Sequence, residues 1–243
     1  TLAKGETEIN NIATEPEIMD LIDCLKSMGA IIEVQDNRRV LIQGVDKLHG
    51  TTHTVIPDRI EAGTYIIAGA ITKGELEVTN LNLEHIDNMI SVFKNIGVNI
   101  LKENNTVRVK ESSLINNIDL DTKEFPGFPT DMQAQIMVLL SLAGKPSTVR
   151  ENIFENRFMH VPELNRMGAN IDTDGSKATI NPCNGFSGAQ VMATDLRASV
   201  SLVLASLIAT GETTINRVYH LDRGYERLED KLASCGANIQ RIQ

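Results

Sequence analysis

The sequence predicts an α/β fold turned inside out, with buried helices enclosed by sheets and outer helices. Three observations predict it: the chain repeats itself, one set of helical segments is apolar nearly all round, and a second set is amphipathic. The repetition is seen in "CLKSMGAIIEV", "VFKNIGVNILK", "ELNRMGANIDT" and "KLASCGANIQR", whose glycines are Gly29, Gly97, Gly168 and Gly236, at intervals of 68, 71 and 68 residues. A second marker keeps the same spacing, since "KGETEI", "KGELEV", "GKPSTV" and "GETTIN" carry Gly5, Gly74, Gly144 and Gly211. Four copies of one unit are therefore expected, the last truncated.

Each copy reads as strand, amphipathic helix, strand, strand, short strand, second helix. In the first helices Ile18, Leu21, Ile22, Leu25 and Met28, and then Ile86, Met89, Ile90, Phe93 and Ile96, recur at the helical period, which predicts one buried face. The shared glycine ends each of them, because it takes a left-handed backbone without strain. The second helices, "RIEAGTYIIAGAIT", "MQAQIMVLLSLAG" and "LRASVSLVLASLIATG", have no polar face and belong in the interior. Their small residues let neighbouring helices approach closely.

Composition bounds the rest. The 243 residues are 42% hydrophobic, enough for a packed core, and the net charge of −9 excludes a broad basic face for nucleic acid. The longest apolar runs, Ile136 to Gly144 and Val200 to Thr210, fall short of the roughly 20 residues that span a bilayer, so no membrane anchor is expected. The opening "TLAKGETEIN" lacks both an initiator methionine and a secretion signal, and reads as part of a longer polypeptide. Cys24, Cys183 and Cys235 are odd in number and too dispersed for a metal site, which favours a reducing, cytoplasmic setting. His85 and His160 lack spaced partners, and neither a metal nor a cofactor is expected.

Each buried helix begins just after an aspartate: Asp58 in "IPDRIEAG", Asp131 in "FPTDMQAQ" and Asp195 in "MATDLRAS". Aspartate is a preferred helix cap, and Asp58 with Glu61 spells a capping box. Equivalent helices should point the same way, so three positive helix ends would converge at one place that attracts anions. Arg157, Arg197 and Arg223 fall near helix starts, where surface exposure and the binding of a small polyanion are both open readings. There is no P-loop, dinucleotide fingerprint or nucleophile elbow.

The stretches "FPTDMQAQ", "FENRFMHVPELNRMGA", "SGAQVMATDLRAS" and "YHLDRGYERLEDKL", with "EPEIMD" and "PDRIEAGT", resemble the enolpyruvyl transferase family, and within it the UDP-N-acetylglucosamine 1-carboxyvinyltransferases of peptidoglycan synthesis. The likeness runs through essentially the whole chain. It implies an inside-out α/β barrel of repeated βαβαββ units, with residues 1–56 as the last unit of one domain and 57–243 as most of a second, and with the active site in the cleft between them. It implies transfer of the enolpyruvyl group from phosphoenolpyruvate to the sugar 3'-hydroxyl of UDP-N-acetylglucosamine, through a tetrahedral adduct that loses phosphate. On the matching positions, Asp131 would be the base for the hydroxyl proton and a substrate contact, and Asp195 would handle protons around the adduct. Ile153 would contact the UDP-sugar, Arg223 phosphoenolpyruvate, and Arg157 and Arg197 would line the same cleft. Glu15 and Asp58 match polar residues beside it. The family's N-terminal half carries a loop cysteine acting as general acid, a Lys-Asn pair and uridine contacts; none maps here, and none of the three cysteines replaces the missing one. The partner implied is that N-terminal half, without which the chain should be inactive. The alternatives are the shikimate-pathway enolpyruvyl transferase and a catalytically silent UDP-sugar-binding module.

Overall fold

The computed structural model describes residues 1–36 and 38–242. The chain divides into two compact units, Thr1–Pro57 with Glu124–Pro126, and Asp58–Lys123 with the chain from Gly127 onwards. The first unit holds β1 (Glu6–Asn10), α1 (Pro16–Ser27), β2 (Ile31–Gln35) and β3 (Arg39–Gln43). Proline opens α1 where its missing N–H is no loss. The strands form an antiparallel sheet in the order β1-β3-β2, with Ile9 opposite Val40 and Ile32 opposite Ile42. Its small core is Ile22, Ala30, Ile32 and Val40. Only part of the expected α1 stripe is covered: Ile22 is buried, while Leu21 is 54% exposed.

The second unit repeats the pattern more fully. It runs α2 (Arg59–Ile71), β4 (Leu76–Val78), α3 (Asp87–Asn95), β5 (Asn99–Glu103), β6 (Thr106–Lys110), β7 (Asp119–Asp121), α4 (Gln133–Leu140), β8 (Ser147–Arg150), α5 (Val161–Arg166), β9 (Asn170–Asp174), β10 (Lys177–Asn181), β11 (Gln190–Met192), α6 (Val200–Ser206), β12 (Thr214–Asn216) and α7 (Leu228–Ser234). From β4 to α6 the order is strand, helix, strand, strand, short strand, helix, twice over, which is the βαβαββ unit read from another starting point. Here the amphipathic stripe is complete, with Ile86, Met89, Ile90, Phe93 and Ile96 all buried.

The four marker glycines do what their spacing predicts. Their φ angles are +96°, +95°, +101° and +98° at Gly29, Gly97, Gly168 and Gly236. In each case the next residue's N–H reaches back five residues to close the helix end: Ala30 to Leu25, Val98 to Phe93, Ala169 to Leu164 and Ala237 to Leu232. One local rule thus stops α1, α3, α5 and α7 alike.

The helices α2, α4 and α6 pack on one another at the centre of the second unit, and every residue of α4 is buried. Gly63 sets how closely α2 approaches, since a Cβ there would lie 2.9 Å from the Met132 methyl. Around the helices stand three separate sheets: β4-β6-β5, β7-β8-β10-β9 and β11-β12. The copies are stitched by parallel pairs, β7 with β8 and β11 with β12, so that α4 and α6 act as crossovers between consecutive repeats. Among the described residues the three sheets share no hydrogen-bonded edge, so the expected barrel is built of separate panels and not of a closed ring of strands. No described helix is long and apolar enough to cross a membrane.

Candidate active site

Because α2, α4 and α6 are equivalent, their N-termini come to one end of the second unit, and charged side chains tie them together there. Arg197, just before α6, donates from Nη2 to Oδ2 of Asp58 at the start of α2 (3.0 Å), and its Nε lies 3.8 Å from Oδ2 of Asp131 ahead of α4. Arg157 donates from Nη2 to Asp131 Oδ1 and from Nη1 to Thr130 Oγ1, both at 2.6 Å. Both guanidinium groups are mostly enclosed, with 15% of the Arg197 side chain and 18% of the Arg157 side chain exposed, whereas the carboxylates of Asp58 and Asp131 keep about twice that contact with solvent, at 35% and 37%. Burial by itself would lower the Arg197 pKa, but the Asp58 carboxylate and the Tyr225 hydroxyl more than offset this and raise it; the guanidinium carbon also lies 5.3 Å from the centre of the Tyr225 ring.

The three aspartates divide in behaviour. Asp58 caps α2, accepting from the N–H groups of Ile60 (2.8 Å) and Glu61 (3.0 Å). The capping box is only half formed, because the Glu61 carboxylate takes Lys231 Nζ at 2.7 Å. Asp195 accepts from the N–H of Ala198 at 2.6 Å and Ser199 Oγ from those of Thr194 and Asp195, but these bonds lie in the turn ahead of α6, which no side chain caps, so the expected cap is absent here. Asp131 does not cap at all. It sits inside a 3-10 turn, Thr130–Met132, and no side chain caps that turn or α4. The sequence reading of Asp131 as a helix cap is corrected accordingly: its carboxylate belongs to Arg157. Gln135 of α4 steadies the turn from the other side, donating its amide to the Asp131 carbonyl at 2.8 Å.

The remaining candidates surround this cluster or lie elsewhere in the chain. Ile153 is 38% exposed and, with Glu151, Phe154, Arg157, Phe158 and Ser176, lines an open recess of about 380 Å³. The Arg157 guanidinium lies over the Phe154 ring at 4.9 Å. Arg223 closes the 3-10 turn Val218–Arg223, is exposed, and makes no hydrogen bond or ion pair among the described residues. Glu15 belongs to the first unit, where it precedes α1; its Oε1 accepts from the Phe125 N–H at 3.5 Å and its Oε2 is buried with no hydrogen-bond partner among the described residues. The structure therefore joins Asp58, Asp131, Arg157 and Arg197 in one ion-paired group, places Ile153 beside it, and leaves Asp195 and Arg223 outside its bonds. Among the described residues no group of three or more His, Cys, Asp or Glu side chains could hold a metal ion.

A profile of the EPSP synthase (3-phosphoshikimate 1-carboxyvinyltransferase) family matches residues 1–232. The chain belongs to the EPSP synthase family. Among family relatives it is 54% identical over 242 residues to a UDP-N-acetylglucosamine 1-carboxyvinyltransferase from Gluconacetobacter diazotrophicus, covering 100% of this chain and 58% of the relative. It is also 54% identical over 244 residues to the protein of that name from Paramagnetospirillum magneticum, covering 100% of this chain and 56% of the relative. The chain thus spans somewhat over half the length of the curated relatives it matches. Among solved structures it resembles the enolpyruvyl transferase NikO from Streptomyces tendae, with a TM-score of 0.88 at 27% identity over 98% of this chain and 57% of that one. An EPSP synthase from Acinetobacter baumannii shares the fold, with a TM-score of 0.75 at 17% identity over 99% of this chain and 59% of that one.

This EPSP synthase family member holds residues at the site that sequence reasoning passed over. Thr130 stands next to Asp131 in the motif, but its partner Glu151 is 21 positions away, and no local pattern pairs them. Tyr225 is buried, with its hydroxyl 3.0 Å from Thr64 Oγ1 of α2. His160 is fully buried, and neither ring nitrogen has a hydrogen-bond partner among the described residues. Burial, reinforced by the nearby Arg157 charge, pushes its pKa down from the usual 6.5 to about 3. As pH falls below about 6.5 the unfolded chain takes up a proton that the folded chain refuses, so folded stability declines from there towards pH 3. The deficit from this residue is about 2 kcal/mol at pH 5. Denaturant titrations of the chain at pH 7 and pH 5 should show His160→Leu losing correspondingly less stability than the parent over that interval, and equal losses would remove His160 as the source.

Proposed function

We propose that this chain is part of an enzyme that transfers the enolpyruvyl group of phosphoenolpyruvate to the 3'-hydroxyl of UDP-N-acetylglucosamine, releasing phosphate in the first committed step of peptidoglycan synthesis. The observation that carries the reading is the 54% identity, sustained across the whole chain, to enzymes named for that acceptor. On this reading the protein works in the cytoplasm and serves cell wall biogenesis, and with it cell shape, division and the cell cycle. Residues 1–56 complete one domain, and 57–243 supply most of a second. The polypeptide that completes the first domain is the partner, and it brings the acid that protonates the donor's methylene carbon.

The site's geometry suits the roles proposed for it. The sugar hydroxyl oxygen attacks the central carbon of phosphoenolpyruvate, and its proton passes to a carboxylate. Arg157 engages Asp131 Oδ1 and so fixes the side chain, while Oδ2, held by no short bond, is the oxygen turned to that proton. The adduct carries a phosphate and a carboxylate on one carbon. Arg157 and Arg197, gathered at three helix N-termini, lie where such charge is stabilised by groups already oriented. Asp195 serves proton removal as phosphate leaves, Ile153 packs against the sugar, and Asp58 holds the polar surround.

Arg223, free of protein partners among the described residues, has its guanidinium uncommitted and takes the donor. Arg223→Ala should raise the KM for phosphoenolpyruvate at least tenfold and leave that for UDP-N-acetylglucosamine nearly unchanged, since a hydrogen bond to a charged group contributes about 1.5–3 kcal/mol; an unaltered donor dependence would remove the role. The reading itself is tested by phosphate release from phosphoenolpyruvate, with the chain alone and with the chain completed by the N-terminal half of such an enzyme. Activity only after completion, with UDP-N-acetylglucosamine as acceptor, is expected. Turnover with a shikimate phosphate instead would move the protein to the sibling reaction, and UDP-sugar binding without turnover would make it a silent binding module.

A further inference from the structure

We infer that Glu151, a buried carboxylate with no role assigned above, is a positioning residue for this transfer, orienting Asp131 through Thr130 and Arg157; the inference rests on the function just proposed. Glu151 follows β8 and is 3% exposed, yet no cation lies within ion-pairing distance of it among the described residues. Its charge is met by four hydrogen-bond donors instead. Oε1 accepts from Thr122 Oγ1 (3.0 Å) and from the N–H groups of Ile153 (2.9 Å) and Phe154 (3.1 Å), and Oε2 accepts from Thr130 Oγ1 (2.8 Å).

A carboxylate is the side chain this arrangement requires, because it accepts at both oxygens and donates at neither. Facing Glu151, the Thr130 hydroxyl can only donate. Its lone pairs are thereby left for Arg157 Nη1 at 2.6 Å, and the other arm of the same guanidinium reaches Asp131 Oδ1 at 2.6 Å. The relay has one polarity throughout, with Thr130 giving its proton to Glu151 and Arg157 giving one each to Thr130 and Asp131. Glu151 also holds the backbone of Ile153 and Phe154, and the Phe154 ring is the platform on which Arg157 rests. One buried group thus fixes Arg157 from two directions and shapes the wall of the recess.

The test uses the complete enzyme with Glu151→Gln, Thr130→Val, Thr130→Ser and the Glu151→Gln/Thr130→Val double variant. Glutamine presents an amide donor where Thr130 must donate, and valine removes the hydroxyl. Each should lower kcat about tenfold or more and raise the KM for UDP-N-acetylglucosamine, with the KM for phosphoenolpyruvate little changed. The double variant should be no worse than the poorer single, because both substitutions cut the same link. Thr130→Ser, which keeps the hydroxyl, should recover most of the loss. The Nε–Hε NMR signal of Arg157 should shift in both Glu151→Gln and Thr130→Val, whether or not substrate turns over. Losses that multiply, or an Arg157 signal unmoved by Glu151→Gln, would overturn the inference, as would a Glu151→Gln protein that melts earlier but keeps normal kcat and KM. If the parent enzyme turns over neither substrate, the functional reading falls instead, and the Arg157 signals alone decide the relay.

Discussion

Asp131→Asn in the complete enzyme should reduce kcat by a factor on the order of 10² or more while leaving the melting temperature within a few degrees of the parent. Asparagine keeps the shape of the side chain and can still accept from Arg157 through its carbonyl oxygen. What it loses is the second oxygen, the one proposed to take the hydroxyl proton. The fold should tolerate the change because Asp131 caps no helix, and its turn is held by backbone bonds and by the Gln135 amide. Asp58→Ala makes the contrast: it removes two capping bonds from α2 and should cost about 1 kcal/mol of stability. Steady-state phosphate release and thermal melting of both variants give the comparison, and near-normal turnover of Asp131→Asn would leave Asp131 as the partner of Arg157 and nothing more.

Arg197→Ala should be comparably damaging, lowering kcat/KM on the order of 10²-fold, since one guanidinium connects the starts of all three buried helices. It bonds Asp58 and the Gly224 carbonyl, approaches Asp131, and lies against the Tyr225 ring. Without it the Asp58 carboxylate loses its cation, and the Asp131 carboxylate keeps only Arg157. Both are partly exposed, so water can enter and the stability loss should stay modest, about 1–3 kcal/mol. Arg197→Lys restores the charge but not the planar fork, and it should recover only part of the activity. Lysine that matched the parent in phosphate-release kinetics would show that charge alone suffices and that the bridging geometry is incidental.

What the sequence revealed and what it hid follow from the range of each signal. The repeat, the stop glycines and the apolar helices are local patterns, and Gly97 or the Ile86 to Ile96 stripe could be placed without knowing any neighbour. The joining of Asp58, Asp131 and Arg197 followed from equivalence of the copies, which makes three helix starts coincide. The rotamer of Asp131 was not legible, because its alternatives, a backbone N–H or a guanidinium, differ only in what a distant loop brings near. Glu151 and Thr130 were hidden for the same reason. Leu21 satisfied the helical period yet remains uncovered, since a period says which face can be buried and not whether anything arrives to bury it. The separate panels of strands were likewise beyond a reading that sees strands one at a time.

The unequal fates of the three aspartates bear on how such a site can arise. The repeat puts the same acidic side chain at the head of three helices, and a helix core packed as tightly as this one holds its place whether or not that side chain caps. Asp58 caps its helix, Asp195 bonds only the turn ahead of α6, and Asp131 serves Arg157. A repeat protein therefore holds spares: a chemical group can take up other work in one copy while a sibling goes on closing its helix.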